Sequence, residues 1–112
     1  SHSPHHAVAI DQQQQPQQNA SDELVEKLKI CLRAKNDIQE FKPKMEQLLR
    51  EIVARKQTDR SVDPNGEREA TLNTNLRTLE QKLSELEQQR VELETMIREL
   101  KQQQQQQQSI KE

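Results

Sequence analysis

The sequence predicts an all-α protein: two long helices joined by a short hinge, pairing as a coiled coil or an antiparallel helical hairpin, with disordered Gln-rich ends. Three observations carry this. Leucine recurs at every seventh residue through Leu72, Leu79, Leu86, Leu93 and Leu100. A second series with the same spacing runs through Leu24, Cys31, Ile38, Met45 and Ile52. Between them lies Asp63-Pro64-Asn65-Gly66, a turn sequence that holds the only glycine of the chain. A repeat averaging about 3.5 residues keeps one apolar stripe facing a partner helix, and four heptads without Gly or Pro are a strong coiled-coil signal.

Composition agrees. The chain has 112 residues, 29% hydrophobic and 1% aromatic, with Phe41 as the single aromatic residue. That is too little apolar area to offset about 1–2 kcal/mol of backbone entropy per residue in one compact core. Helices that bury a stripe each suit it better. The net charge of −2 gives no broad attraction to nucleic acid or anionic lipid. No apolar run approaches the roughly 20 residues that span a bilayer, and Ala7 to Ile10 is too short for a secretory core. Cys31 stands alone, as expected in a reducing, intracellular setting. With Ser at position 1, the chain is expected to be a processed form or a fragment.

In chain order, residues 1–20 read as a Gln-rich disordered tail. His2, His5 and His6 lack the spacing and the companion ligands of a closed zinc site, so no metal is assigned to them. Ser21 is the expected N-cap of the first helix, residues 21–57, with Asp22 and Glu23 against its dipole. In that helix the leucine-type series occupies heptad position d, and Leu28, Lys35, Lys42, Leu49 and Lys56 occupy a. Its apolar surface also spreads sideways, through Val25, Leu32 and Val53 on one flank and Ala34, Phe41 and Leu48 on the other. A seam that wide suits a helix with two neighbours. The lysines can lay their stems along it with the ammonium groups outside. Pro43 lies mid-helix, where a kink is expected rather than a break. Residues 58–66 form the hinge, with the Asp-Pro-Asn-Gly sequence as a type I turn. The second helix covers 67–101, and the polyGln tail 102–112 follows, able to extend it but with no burial to hold it.

The second seam places Leu72, Leu79, Leu86, Leu93 and Leu100 at d and Leu76, Leu83, Arg90 and Ile97 at a. Its e positions include Glu80, Glu87 and Glu94. These glutamates would face one another in an antiparallel homodimer, so a partner helix with basic flanks suits them better. Alternatively, they only keep the outer face solvated. Arg90 costs stability, fixes register and favours a partner carboxylate. Cys31, on the d stripe, is expected to be a small buried knob. The sequence leaves open whether the two helices close on each other. The expected interface comprises Leu72, Leu76, Leu79, Leu83, Leu86, Arg90, Leu93, Ile97 and Leu100, with Leu28, Ile38, Phe41, Met45, Leu49 and Ile52 from the first helix.

Other classes fit poorly. A basic zipper needs a basic helix continuous with the leucines, yet Pro64, Gly66, Glu67 and Glu69 lie upstream and Arg55, Lys56, Arg60 and Arg68 are scattered. No phosphate-cradling Gly loop and no converging nucleophile and base suggest an enzyme, so no catalytic residue or cofactor is expected. Neither helix has the basic polar face of a membrane-surface helix.

The organisation from Leu24-Val25 to Ile52-Val53 and from Leu72 to Leu100 resembles the small Gln-rich helical-hairpin subunits of the Mediator complex, ninth-subunit type, over about residues 22–101. The resemblance implies a nuclear, non-catalytic coregulator subunit whose hairpin packs in the middle module. The sequence-based expectation is therefore a coiled-coil scaffold or adaptor that pairs with protein helices, in a heterocomplex or as a homo-oligomer, without membrane or direct nucleic-acid contact. Transcriptional coregulation is the preferred setting. A cytoskeletal, kinetochore or vesicle-tethering complex is the alternative.

Overall fold

The computed structural model describes residues 16–111 of the chain, with side chains from 19 to 106. Its regular structure is two helices, α1 (Pro16–Thr58) and α2 (Glu67–Lys111), with no strand among the described residues. The two-helix, all-α class read from the heptads is the fold observed. The described residues divide into two compact units: Leu32–Gln88, which contains the hinge, and a second unit that joins residues 16–31 with residues 89–111.

The outer helix ends differ from the sequence reading, whereas at the hinge α2 begins at Glu67 as expected and α1 ends at Thr58, one residue later than expected. α1 starts at Pro16, so Ser21 lies inside the helix and is not its N-cap. The first turn contains no acidic residue, and Asp22 and Glu23 fall beyond it. The physical reason is that proline suits a first helical turn, its missing N–H being one of the donors left unsatisfied there anyway. Gln and Ala after it carry the helix forward at little cost. The part of the expected tail that precedes Pro16, with His2, His5 and His6, lies outside the described residues. At the other end α2 continues through Gln102–Gln108 to Lys111, so residue 101 is not a boundary. Adding a residue to an existing helix needs no new nucleus, and glutamine extends it without tertiary burial.

α1 also runs uninterrupted through Pro43. The proline removes one backbone bond and costs about 3 kcal/mol in a helix interior. Half-buried Ile38, Lys42, Met45 and Leu49 hold the segments on both sides in one seam.

Within Leu32–Gln88 the helices are antiparallel, which the cross-helix ion pairs show directly. Lys35 Nζ meets Glu87 Oε1 at 2.7 Å, Lys42 meets Glu80 at 3.6 Å, and Lys56 meets Glu69 at 3.1 Å. As the α1 number rises, its α2 partner falls. Ile52, Leu76 and Leu86 are the buried apolar residues of this unit. In the other unit Cys31, Leu93 and Ile97 are buried, and Leu28 lines a groove with Glu94, Ile97, Arg98 and Lys101. Each unit thus has its own short apolar core built from both helices.

Candidate helix-pairing interface

The seam follows the heptads. From Leu72 to Leu100 every a and d residue is buried or half-buried, and so is every a and d residue from Leu24 to Lys56. Of the expected interface residues, Leu76, Leu86, Leu93, Ile97 and Ile52 are buried. Leu72, Leu79, Leu83, Arg90, Leu100, Leu28, Ile38, Met45 and Leu49 are half-buried. Phe41 is the departure: it is 51% exposed and lies outside the seam. Cys31, the expected knob, is the most buried of the core side chains at 2%. The stripe that pairing had to cover is therefore covered, unit by unit, by the chain's own other helix.

The charges follow from the same register. Lys35 and Lys42, seven residues apart at a of α1, meet Glu87 and Glu80, seven apart at e of α2. The basic helix that suited those glutamates is α1 itself. These pairs are partly solvated, so each contributes about 0.2–1 kcal/mol and serves mainly to fix register. The matched spacing was visible in the sequence, and the hairpin brings the two series together in antiparallel order. Arg90 finds its carboxylate on its own helix, in a short hydrogen bond to Glu94 one turn on.

Sequence reading missed the role of Asp63. It supplies the expected turn, since the Gly66 N–H donates to the Asp63 carbonyl at 3.0 Å. Its side chain does more. Oδ1 accepts the Arg68 N–H at 2.9 Å and Oδ2 the Glu69 N–H at 3.0 Å, satisfying two open donors of the first turn of α2. Lys56 Nζ reaches the same carboxylate at 3.9 Å, tying the end of α1 to the start of α2. To make this wrap Asp63 adopts φ +48° and Gly66 φ +71°, the left-handed region that Gly and, less easily, Asp tolerate. The Arg68 and Glu69 N–H groups hold the Asp63 carboxyl below its ordinary value; burial opposes them, and the Lys56 and Arg68 charges assist. Asp59 is lowered as well, first by the Ser61 hydroxyl and then by the Ser61 N–H, at 2.6 and 2.9 Å.

No protein-family model, no curated protein and no solved structure gives a significant match to the chain. The geometry therefore stands by itself. Among the described residues no group of three His, Cys, Asp or Glu side chains is placed to hold a metal ion, and no helix is long and apolar enough to cross a membrane. Among the described residues the seam leaves apolar side chains uncovered on both helices: on α1 Leu32 at 43% and Val53 at 38% on one flank, Phe41 and Leu48 at 51% and 45% on the other, and Ile30 on the outer face; on α2 Val91 and Met96. A groove of about 340 Å³ runs beside Leu48, lined also by Ile52, Glu67, Arg68, Thr71 and Leu72.

Proposed function

We propose that the chain is a non-catalytic helical scaffold or adaptor subunit of a multiprotein assembly, with a nuclear transcription coregulator of the Mediator type as its setting. The observation that carries this is the pair of uncovered flanks on α1. A hairpin whose a and d positions are already covered still presents Leu32 and Val53 on one side and Phe41 and Leu48 on the other. Apolar side chains left outside a completed seam favour contact with further protein helices. The polar side chains at the seam hold the hairpin itself together, because Lys35, Lys42, Lys56 and Asp63 all tie one helix to the other. The near-neutral charge favours protein partners over nucleic acid or membrane. The long Gln tracts beside the helices and the resemblance in organisation support the transcriptional setting.

The test is quantitative affinity capture from nuclear and cytosolic extracts with the full chain and with a Leu32→Glu, Val53→Glu variant that keeps the helical spectrum. A stoichiometric set of coregulator subunits, retained by the parent chain and lost by the variant, is the expected result. Capture of cytoskeletal, kinetochore or tethering subunits in the same flank-dependent way would keep the adaptor and overturn its setting. Absence of any stoichiometric set would overturn both.

A further inference from the structure

The Phe41 flank is nearly symmetric about Phe41. Ala34, Asp37, Phe41, Lys44 and Leu48 all belong to the unit Leu32–Gln88 and, at about 100° per residue, fall within one narrow stripe of the helix. Asp37 and Lys44 stand almost equally far before and after Phe41, and Ala34 and Leu48 stand equally far on either side. Both charged residues lie on the same edge of the stripe, the edge away from the seam. Neighbouring polar side chains are paired within α1, as in Asn36 with Glu40, Gln47 with Glu51 and Arg50 with Gln47. Asp37 and Lys44 are exposed and have no such partner among the described residues.

We propose that this flank is the docking surface for a second copy of the chain, set antiparallel about a twofold axis beside Phe41. A twofold perpendicular to the helix reverses chain direction and keeps each edge of the stripe on its own side. Asp37 of one copy then comes level with Lys44 of the other, and the reciprocal pair forms by symmetry. Phe41 meets its counterpart near the axis. The large Leu48 comes level with the small Ala34, whose lack of bulk leaves room for it. A parallel pair would instead set like residues level with each other, with the charged edges on opposite sides and no attraction between them. The complementarity thus selects both the occupant and its direction. It also supplies the second neighbour that the wide apolar surface of the first helix called for, the first being α2. This goes beyond the adaptor reading and leaves the opposite flank, at Leu32 and Val53, for that role.

The test measures the mass of the full chain by sedimentation equilibrium at micromolar concentration, with helicity recorded for each variant. The expected mass is twice 13.2 kDa. Phe41→Glu, at an exposed position, should give the single-chain mass with unchanged helicity. Asp37→Lys alone and Lys44→Asp alone should each weaken dimerisation roughly tenfold, since both symmetry-related pairs become repulsive. An equimolar mixture of those two variants should restore the dimer, because each of its pairs again unites opposite charges. A monomeric parent chain would overturn the proposal. So would a dimer indifferent to Phe41→Glu, or one in which the mixture gives no rescue. In each case capture through Leu32 and Val53 can still succeed, so failure of the dimer and failure of the adaptor role are told apart.

Discussion

Truncating Leu86 should unfold the hairpin more readily than truncating its heptad neighbour Leu83, although the sequence treats the two alike. Leu86 is 5% exposed, whereas Leu83 is half-buried. Leu→Ala removes three carbons, about 2.4 kcal/mol of transfer free energy at a buried site, and the cavity adds to it. Leu86→Ala is therefore expected to cost roughly 2.5–4 kcal/mol, against about 1–1.5 kcal/mol for Leu83→Ala. At about 4–8 °C per kcal/mol for a domain of this size, Leu86→Ala should lower Tm by at least roughly 10 °C. Val91→Ala serves as the control. That side chain is 48% exposed, and alanine's better helix propensity offsets the small area lost. The assay is thermal and urea denaturation followed by helical circular dichroism, at one fixed protein concentration because self-association raises apparent stability. Equal losses for Leu83→Ala and Leu86→Ala, or a Val91→Ala loss as large as either, would refute the reasoning from burial.

Asp63→Asn should lower Tm and flatten the acid limb of stability measured by circular dichroism. The native carboxyl is held below 3.8, so its contribution is complete above that value and is lost as pH falls below it towards the lowered native value. An unchanged acid limb would mean that Asp63 does not cap α2. Pro43→Ala should stabilise the chain by up to about 3 kcal/mol in urea titrations, since α1 continues through this exposed position and would regain a backbone bond. A destabilised Pro43→Ala would show that the proline shapes the seam. Cys31, 2% exposed, should react with a thiol reagent only when the native chain opens, and mild oxidation should give no disulfide-linked dimer on a non-reducing gel. A strong dimer band abolished by Cys31→Ser would place two copies of this d position face to face and contradict its burial in the hairpin.

Local chemistry decided much of this molecule in advance. The heptads from Leu24 to Ile52 and from Leu72 to Leu100 require two helices and identify the face each one covers, because apolar spacing near 3.5 residues allows no other periodic element. The Asp-Pro-Asn-Gly turn is equally local, which is why the hinge between Thr58 and Glu67 was legible. The outer helix ends were not, since a proline that opens a helix and a glutamine tract that prolongs one differ little in sequence from tails. Only the tertiary structure decided what covers the seam. Lys35 and Glu87 are 52 residues apart, and no local rule distinguishes a lysine awaiting another chain from one that meets its own α2. The fate of Phe41 was settled in the same way: helical spacing put it beside the stripe, but only the position of α2 determined that the stripe would be covered and the phenylalanine left outside it. Asp63 shows the reverse order, where chain reversal turned an ordinary turn residue into the cap of α2 by aiming its carboxylate at the Arg68 and Glu69 N–H groups.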